Sequence, residues 1–165
     1  MPAKLSLVIN SSPLIALTSA LPDFQALGQI IERFIIPSEV LAELSAGHLK
    51  DETALRVRAT EWCEVRPLRL KPSRPWLSSL GAGEASVLET ALEESWPIVG
   101  IDELKGRRIA RLHGLQVIGS LGILVEAYRA GIIPSIDQAI ARMKAKGIFL
   151  SEAAIRAARE ASGDV

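Results

Sequence analysis

Several things are scarce in this chain, and each scarcity removes a class of function. One cysteine, Cys63, stands among 165 residues with only two histidines. No internal disulfide and no Cys/His zinc spacing can be built from that set, and a reducing, cytoplasmic setting is expected. Aromatic residues make up 4% of the chain, too few for the base-stacking platforms of RRM or OB modules. Net charge is absent, with 19 Lys and Arg against 19 Asp and Glu. No global field therefore draws the chain to nucleic acid or to a membrane, and any such binding must come from a local patch. No apolar run approaches the ~20 residues of a membrane span. Lys4 followed by Leu5-Ser6-Leu7-Val8-Ile9 resembles the start of a signal peptide. The run breaks at Asn10-Ser11-Ser12-Pro13, short of an apolar region of about 7–15 residues.

What remains suits a globular fold. Apolar residues are 48% of the chain, enough for a sizeable core at a length that suits one domain. Leu5 to Ile9 reads as a short buried strand. Ser11 or Ser12 is placed to cap the next helix, with Pro13 in its first turn. Pro22-Asp23 is expected to open a short helix through about Ile31. Phe34-Ile35-Ile36 reads as a strand, and a helix from Glu39 to Ala46 follows, with Ser38 as its cap and Gly47 as its stop. A helix over Asp51 to Trp62 precedes an alternating, edge-like strand from Glu64 to Leu68, marked by its proline. Lys71 to Pro75 reads as a loop. Glu84 to Ser95, Glu103 to His113 and Leu121 to Ala130 read as helices, with strands at Pro97 to Ile101 and at Val117-Ile118 between them. Helices Ile136 to Lys146 and Ser151 to Ala161 close the chain.

Strands that alternate with helices, several of them continuous apolar runs, predict an α/β fold whose parallel sheet is covered on both faces. The expected arrangement is an α/β domain over residues 1–134, with a helical extension over 135–165 packed on it.

In such sheets ligands collect beyond the carboxyl ends of the strands. Asn10 and Asp102 each follow an apolar strand directly. Glu84 opens a helix after Gly81-Ala82-Gly83, and Glu43 lies one turn into the helix after the second strand. Three acids gathered at one rim repel one another and become stable around a divalent cation, and an all-oxygen set suits Mg2+ or Mn2+. Helix capping and dipole pairing explain the same acids equally well one at a time.

Lys105, Arg107, Arg108 and Arg111, with Arg129 further on, form a basic cluster beginning at the same rim. They can hold RNA phosphates, and Arg107 and Arg111 share a face at i,i+4 spacing. Cations near a helix C-terminus are also favoured by its dipole. Gly81 and Gly83 lack the lysine of a phosphate-binding loop and read as a tight helix entry. His48 and His113 read as surface residues, Trp62, Trp76 and Trp96 as core or interface anchors, and Cys63 as a buried small hydrophobe.

Several segments together resemble the PIN-domain proteins, in their DUF3368 branch. They are Val8-Ile9-Asn10-Ser11-Ser12-Pro13-Leu14-Ile15-Ala16-Leu17, Ile36-Pro37-Ser38-Glu39-Val40-Leu41-Ala42-Glu43-Leu44 and Gly81-Ala82-Gly83-Glu84-Ala85-Ser86-Val87-Leu88. The longest runs from Ile101-Asp102-Glu103 through Arg107-Arg108-Ile109-Ala110-Arg111 to Gly119-Ser120-Leu121-Gly122-Ile123-Leu124, and the tail Ala145-Lys146-Gly147-Ile148-Phe149-Leu150-Ser151 is also similar. Each piece alone is weak, and their joint order over nearly the whole chain is specific.

The resemblance implies a three-layer α/β/α fold with a mostly parallel sheet. It also implies a Mg2+- or Mn2+-dependent endoribonuclease, the toxin of a toxin–antitoxin pair, with RNA, an antitoxin protein and a second copy of the chain as partners. It places catalysis at Asn10, Glu43, Glu84 and Asp102, and metal binding at Asn10, Glu84, Asp102 and Glu103. Ser11 and Ser12 beside Asn10, with Arg107, Arg108 and Arg111 of the basic cluster, are the candidate nucleic-acid contacts read from the residues themselves.

Two departures stand out. The family motif carries an aspartate where this chain has Asn10, and Glu103 replaces the second of two adjacent aspartates. An amide keeps one oxygen ligand but loses a negative charge and a possible base. Two readings follow, a weakened ribonuclease or a non-catalytic module that binds RNA or protein. A Rossmann-like or flavodoxin-like binding domain would need a glycine loop after the first strand, which Asn10-Ser11-Ser12-Pro13 does not supply.

Overall fold

Five strands, all parallel, lie side by side in the order β3-β2-β1-β4-β5. The computed structural model describes residues 3–45, 48–67 and 74–163. In chain order the elements are β1 (Leu5–Ile9), α1 (Ser11–Ala20), β2 (Ile31–Pro37), α2 (Ser38–Glu43), α3 (His48–Ala59), β3 (Cys63–Arg66), α4 (Ala82–Glu93), β4 (Ile98–Gly100), α5 (Leu104–Leu112), β5 (Gln116–Ile118), α6 (Ser120–Arg129), α7 (Ile136–Ala145) and α8 (Glu152–Ser162). Short 3-10 turns occupy Gln25–Gln29 and Pro75–Ser79.

The continuous apolar runs of the central strands have a direct cause. Leu7, Val8 and Ile9 of β1 and Phe34, Ile35 and Ile36 of β2 are wholly buried, because helices cover the sheet on both sides. α1 packs with α3, α6 and α7, while α2 packs with α4, which lies on β1, β2 and β4. The result is the three-layer α/β/α arrangement expected. Gly100 lets β1 and β4 approach, since a Cβ there would stand 2.7 Å from Ile9 Cγ1.

Three local expectations are corrected. The helix expected from Pro22 to Ile31 is only the 3-10 turn, with Asp23 Oδ1 accepting from the Gln25 N–H at 2.8 Å. Ile31 already pairs with Leu5, so strand pairing with β1 overrides the helical reading. Neither Ser11 nor Ser12 caps α1, and neither does Ser38 cap α2: the cap positions fall on Asn10 and Pro37, with no side-chain bond from either. The expected stop at Ala46-Gly47 and the segment 68–73 lie outside the described residues.

The last two helices join the same core. Ile136, Ala139, Ile140, Met143, Ile155 and Ala158 are buried, and Arg142 Nη1 donates to the Ala20 carbonyl at 3.3 Å. Ser135 and Ser151 are true caps, accepting from the Gln138 and Ala154 N–H groups at 3.3 and 3.1 Å. Ile123, Leu124 and Val125 of α6 are buried within the chain.

The outer strand β3 carries a chain of charges. Glu64 meets Arg33 at 3.8 Å and Arg66 at 2.9 Å, and Arg66 meets Glu94 at 3.6 Å. Cys63, on the same strand, has its thiol pushed up to about 12 by burial, which suits an inert small hydrophobe. Trp62 sits edge-on to Phe34 with ring centroids 5.1 Å apart, an anchor as expected. Among the described residues, no helix is long and apolar enough to cross a membrane.

Candidate functional site

The chain lays β1, β2 and β3 outward in one direction, then returns to place β4 and β5 on the other side of β1. The reversal falls between β1 and β4, where crevices form at the carboxyl ends of parallel strands. Ile9 pairs with Gly100, and the Asn10 N–H donates to the Gly100 carbonyl at 2.9 Å. Asn10 and the pair Asp102-Glu103 therefore leave adjacent strands at the same edge.

The two serines that do not cap α1 serve two carboxylates. Ser11 Oγ donates to Glu43 Oε2 at 2.8 Å, and Ser12 Oγ donates to Glu103 Oε1. Glu103 Oε2 also accepts from Asn10 Nδ2 at 3.5 Å. The other oxygen of Glu43 accepts from the Gly83 N–H at 2.8 Å, in the first turn of α4. Asp102 Oδ1 accepts from the Ser120 N–H at 2.7 Å, at the head of α6. Glu43 and Asp102 thus each satisfy an orphan N–H at a helix N-terminus, where a negative charge is favoured. Glu84 reaches back to the Gly81 N–H, as an acid at the third helical position does in a capping box.

Three glycines make room for three of these acids. A Cβ at Gly83 would lie 2.5 Å from Glu43 Oε2. One at Gly106 would lie 2.5 Å from Glu84 Oε1, and one at Gly119 would lie 2.8 Å from Asp102 Oδ1. Gly106 and Gly119 escaped the sequence reading. The available signal was a glycine in the middle of α5, which costs about 0.5–1 kcal/mol relative to alanine and so implies a packing reason.

Burial first, and neighbouring carboxylates after it, raise two of the acids. The Glu84 carboxyl is held above its ordinary range, first by burial and then by Glu103, with Glu43 adding to it. Asp102 is also raised, by burial against the pull of Ser120 hydrogen bonds, with Glu103 pushing further. Arg107 turns inward, donating from Nη1 to the Ile101 carbonyl at 2.9 Å, and burial lowers its pKa. Lys105 Nζ bonds the Ser79 carbonyl, while Arg108 and Arg111 are exposed. His113 is a surface residue stacked on Trp76 with ring centroids 3.9 Å apart.

The fit of this rim to a divalent cation rests on its unsatisfied oxygens. Asn10 is 2% exposed, and its Oδ1 and Glu84 Oε1 are buried without a hydrogen-bond partner. Two orphaned hard oxygens beside crowded carboxylates are the donor type such an ion takes. Among the described residues, however, no three His, Cys, Asp or Glu side chains form a group able to hold a metal ion. The rim fits in donor chemistry, with a neutral amide at Asn10 beside the Glu103 carboxylate.

An all-parallel α/β/α sheet with acids at its reversal point defines an α/β domain whose cleft lies at the carboxyl ends of its strands. The chain belongs to the DUF3368 family of PIN domains, which matches residues 6–164. No curated protein matches the sequence.

Proposed function

We propose that this rim binds RNA and cleaves its backbone as a Mg2+- or Mn2+-dependent endoribonuclease whose activity is reduced by Asn10. The observation that carries the reading is the pair of buried, unpartnered oxygens, Asn10 Oδ1 and Glu84 Oε1, at the point where the sheet order reverses. Asn10, Glu84, Asp102 and Glu103 would hold the ion by closing on it, since no three acids among the described residues already form such a group. Bound there, it lowers the pKa of water and neutralises charge developing on a phosphodiester.

The chain's own residues divide the remaining work. Glu43 and Asp102 pin the heads of α4 and α6, which orients Glu84 and Ser120 toward the rim. Glu84, held above its ordinary range by burial and by Glu103, takes a proton more readily than a free carboxylate. Arg107 lies beside Asp102 and suits a phosphate oxygen. Asn10 can donate an oxygen ligand but cannot accept a proton as a carboxylate can. The family also suggests an antitoxin-type protein partner.

One contact supports a second reading, a non-catalytic module. Asn10 Nδ2 donates to Glu103, so an amide N–H meets a carboxylate that would otherwise meet a cation. Calorimetric titration with Mn2+ and cleavage of single-stranded RNA, on the native chain and on Asn10→Asp, separate the two. The enzyme reading expects weak Mn2+ binding and slow cleavage, both strengthened at least tenfold by Asn10→Asp. Absence of Mn2+ binding and of cleavage in both proteins refutes it.

A further inference from the structure

The outer face of α5 is left over from the site. The helix reads Leu104-Lys105-Gly106-Arg107-Arg108-Ile109-Ala110-Arg111-Leu112 and holds no acid. Gly106 and Ala110 are buried. At roughly 100° per residue, Leu104, Arg108, Arg111 and Leu112 gather on the opposite side, within about 100° of arc. Leu104 is 85% exposed and Leu112 76%, and they stand about 12 Å apart along the axis. Among the described residues neither Arg108 nor Arg111 has an ion-pair partner. Arg111 instead acts on Arg107, a like charge. Beyond Leu112 the half-buried ring of Trp76 lies stacked on His113.

Cations without counter-charges, bracketed by solvent-facing leucines, set a two-part requirement. An RNA backbone answers the arginines but offers the leucines nothing. A solvated surface answers the arginines but not the leucines, since leucine gains from leaving water. We propose that this face docks an acidic amphipathic helix of a protein partner. Carboxylates of that helix pair with Arg108 and Arg111, and its apolar side chains, two turns apart, cover Leu104 and Leu112. The inference does not rest on the nuclease reading, because it is argued from the exposure and charge of these four side chains and not from the rim's carboxylates.

The test uses the full chain and fluorescence anisotropy with three probes. One is a synthetic amphipathic peptide about five turns long, with leucines along one face flanked by glutamates. The second is the same peptide with lysines for glutamates, and the third is oligouridylate. The acidic peptide is expected to bind and the basic one not. Leu104→Ser with Leu112→Ser, and separately Arg108→Glu with Arg111→Glu, are each expected to weaken the acidic peptide at least tenfold. The leucine pair should leave oligouridylate binding unchanged. Both leucines are exposed, so an unaltered melting temperature verifies that the fold is intact. Failure of the acidic peptide to bind, or equal binding to the leucine variant, overturns the proposal. So does a leucine variant that loses oligouridylate while keeping the peptide, which would assign the face to RNA. Cleavage is measured separately, so loss of the nuclease reading leaves this result standing.

Discussion

Gly106→Ala should separate the stability of the fold from the state of Glu84. The added methyl lands 2.5 Å from Glu84 Oε1 and 3.1 Å from Ile101 Cγ2. The first contact is with the end of a flexible side chain, so the carboxylate moves. The second needs a few tenths of an ångström from a core methyl. Alanine gains about 0.8–1.0 kcal/mol of helix propensity over glycine. Against it stand the strained methyl contact and the lost Gly81 N–H···Glu84 bond, roughly 0.5–1.5 kcal/mol for such a bond. The two sides nearly cancel, leaving stability within about 1 kcal/mol of the native chain, a change of roughly 2–4 °C in melting temperature for a chain of this size.

The pH profile is where the variant should differ. In the native chain Glu84 binds its proton more tightly folded than unfolded, because burial and Glu103 raise its pKa. Its contribution to stability is therefore fully present below the unfolded value, about 4.3, and is lost as pH rises through the raised folded value. Once displaced toward water, Glu84 loses that shift, and the variant's melting temperature should fall less between pH 4 and 7. Thermal denaturation across that range measures it. A pH profile identical to the native one would show that Glu84 has not moved, and a drop of ten degrees or more at all pH values would show that its position is structural.

Other perturbations test neighbouring parts of the argument. Gly100→Ala drives a methyl to 2.7 Å from Ile9 Cγ1 and 3.0 Å from Leu7 Cδ1, and should cost about 1–3 kcal/mol in urea denaturation, as overpacking does. Asp102→Ala removes the acceptor at the head of α6 and should cost about 0.5–2 kcal/mol. Asp102→Asn keeps an acceptor and removes a charge that burial disfavours, so by the same assay at pH 7 it should be no less stable than the native chain.

The fold was legible because its strands are buried on both faces. Leu5 to Ile9 and Phe34 to Ile36 are continuous apolar runs, and β1 falls on the expected residues. Less was legible where a partner distant in sequence decides the outcome. Ile31 becomes strand because Leu5 lies beside it, which no local window contains. Ser11 and Ser12 look like caps in isolation, and their hydroxyls go instead to Glu43 and Glu103, 32 and 91 residues away. At the site, the strand-end positions of Asn10 and Asp102 could be read from the runs before them. The glycine cradles were legible only as a mid-helix glycine at Gly106, because what makes them necessary is a carboxylate arriving from another element.

The charged chain along β3 also bears on how copies of this protein can associate. β3 and β5 are the two margins of the sheet, and margins of parallel strands are templates for further strands. β5 is three residues long, which offers little length to copy. β3 presents Glu64 and Arg66 locked to Arg33 and Glu94, with Pro67 next in sequence. A second chain laid along it would meet these charges. Sheet growth from copy to copy is therefore guarded at both ends, and the guard at β3 is ionic, so it weakens as salt screens it.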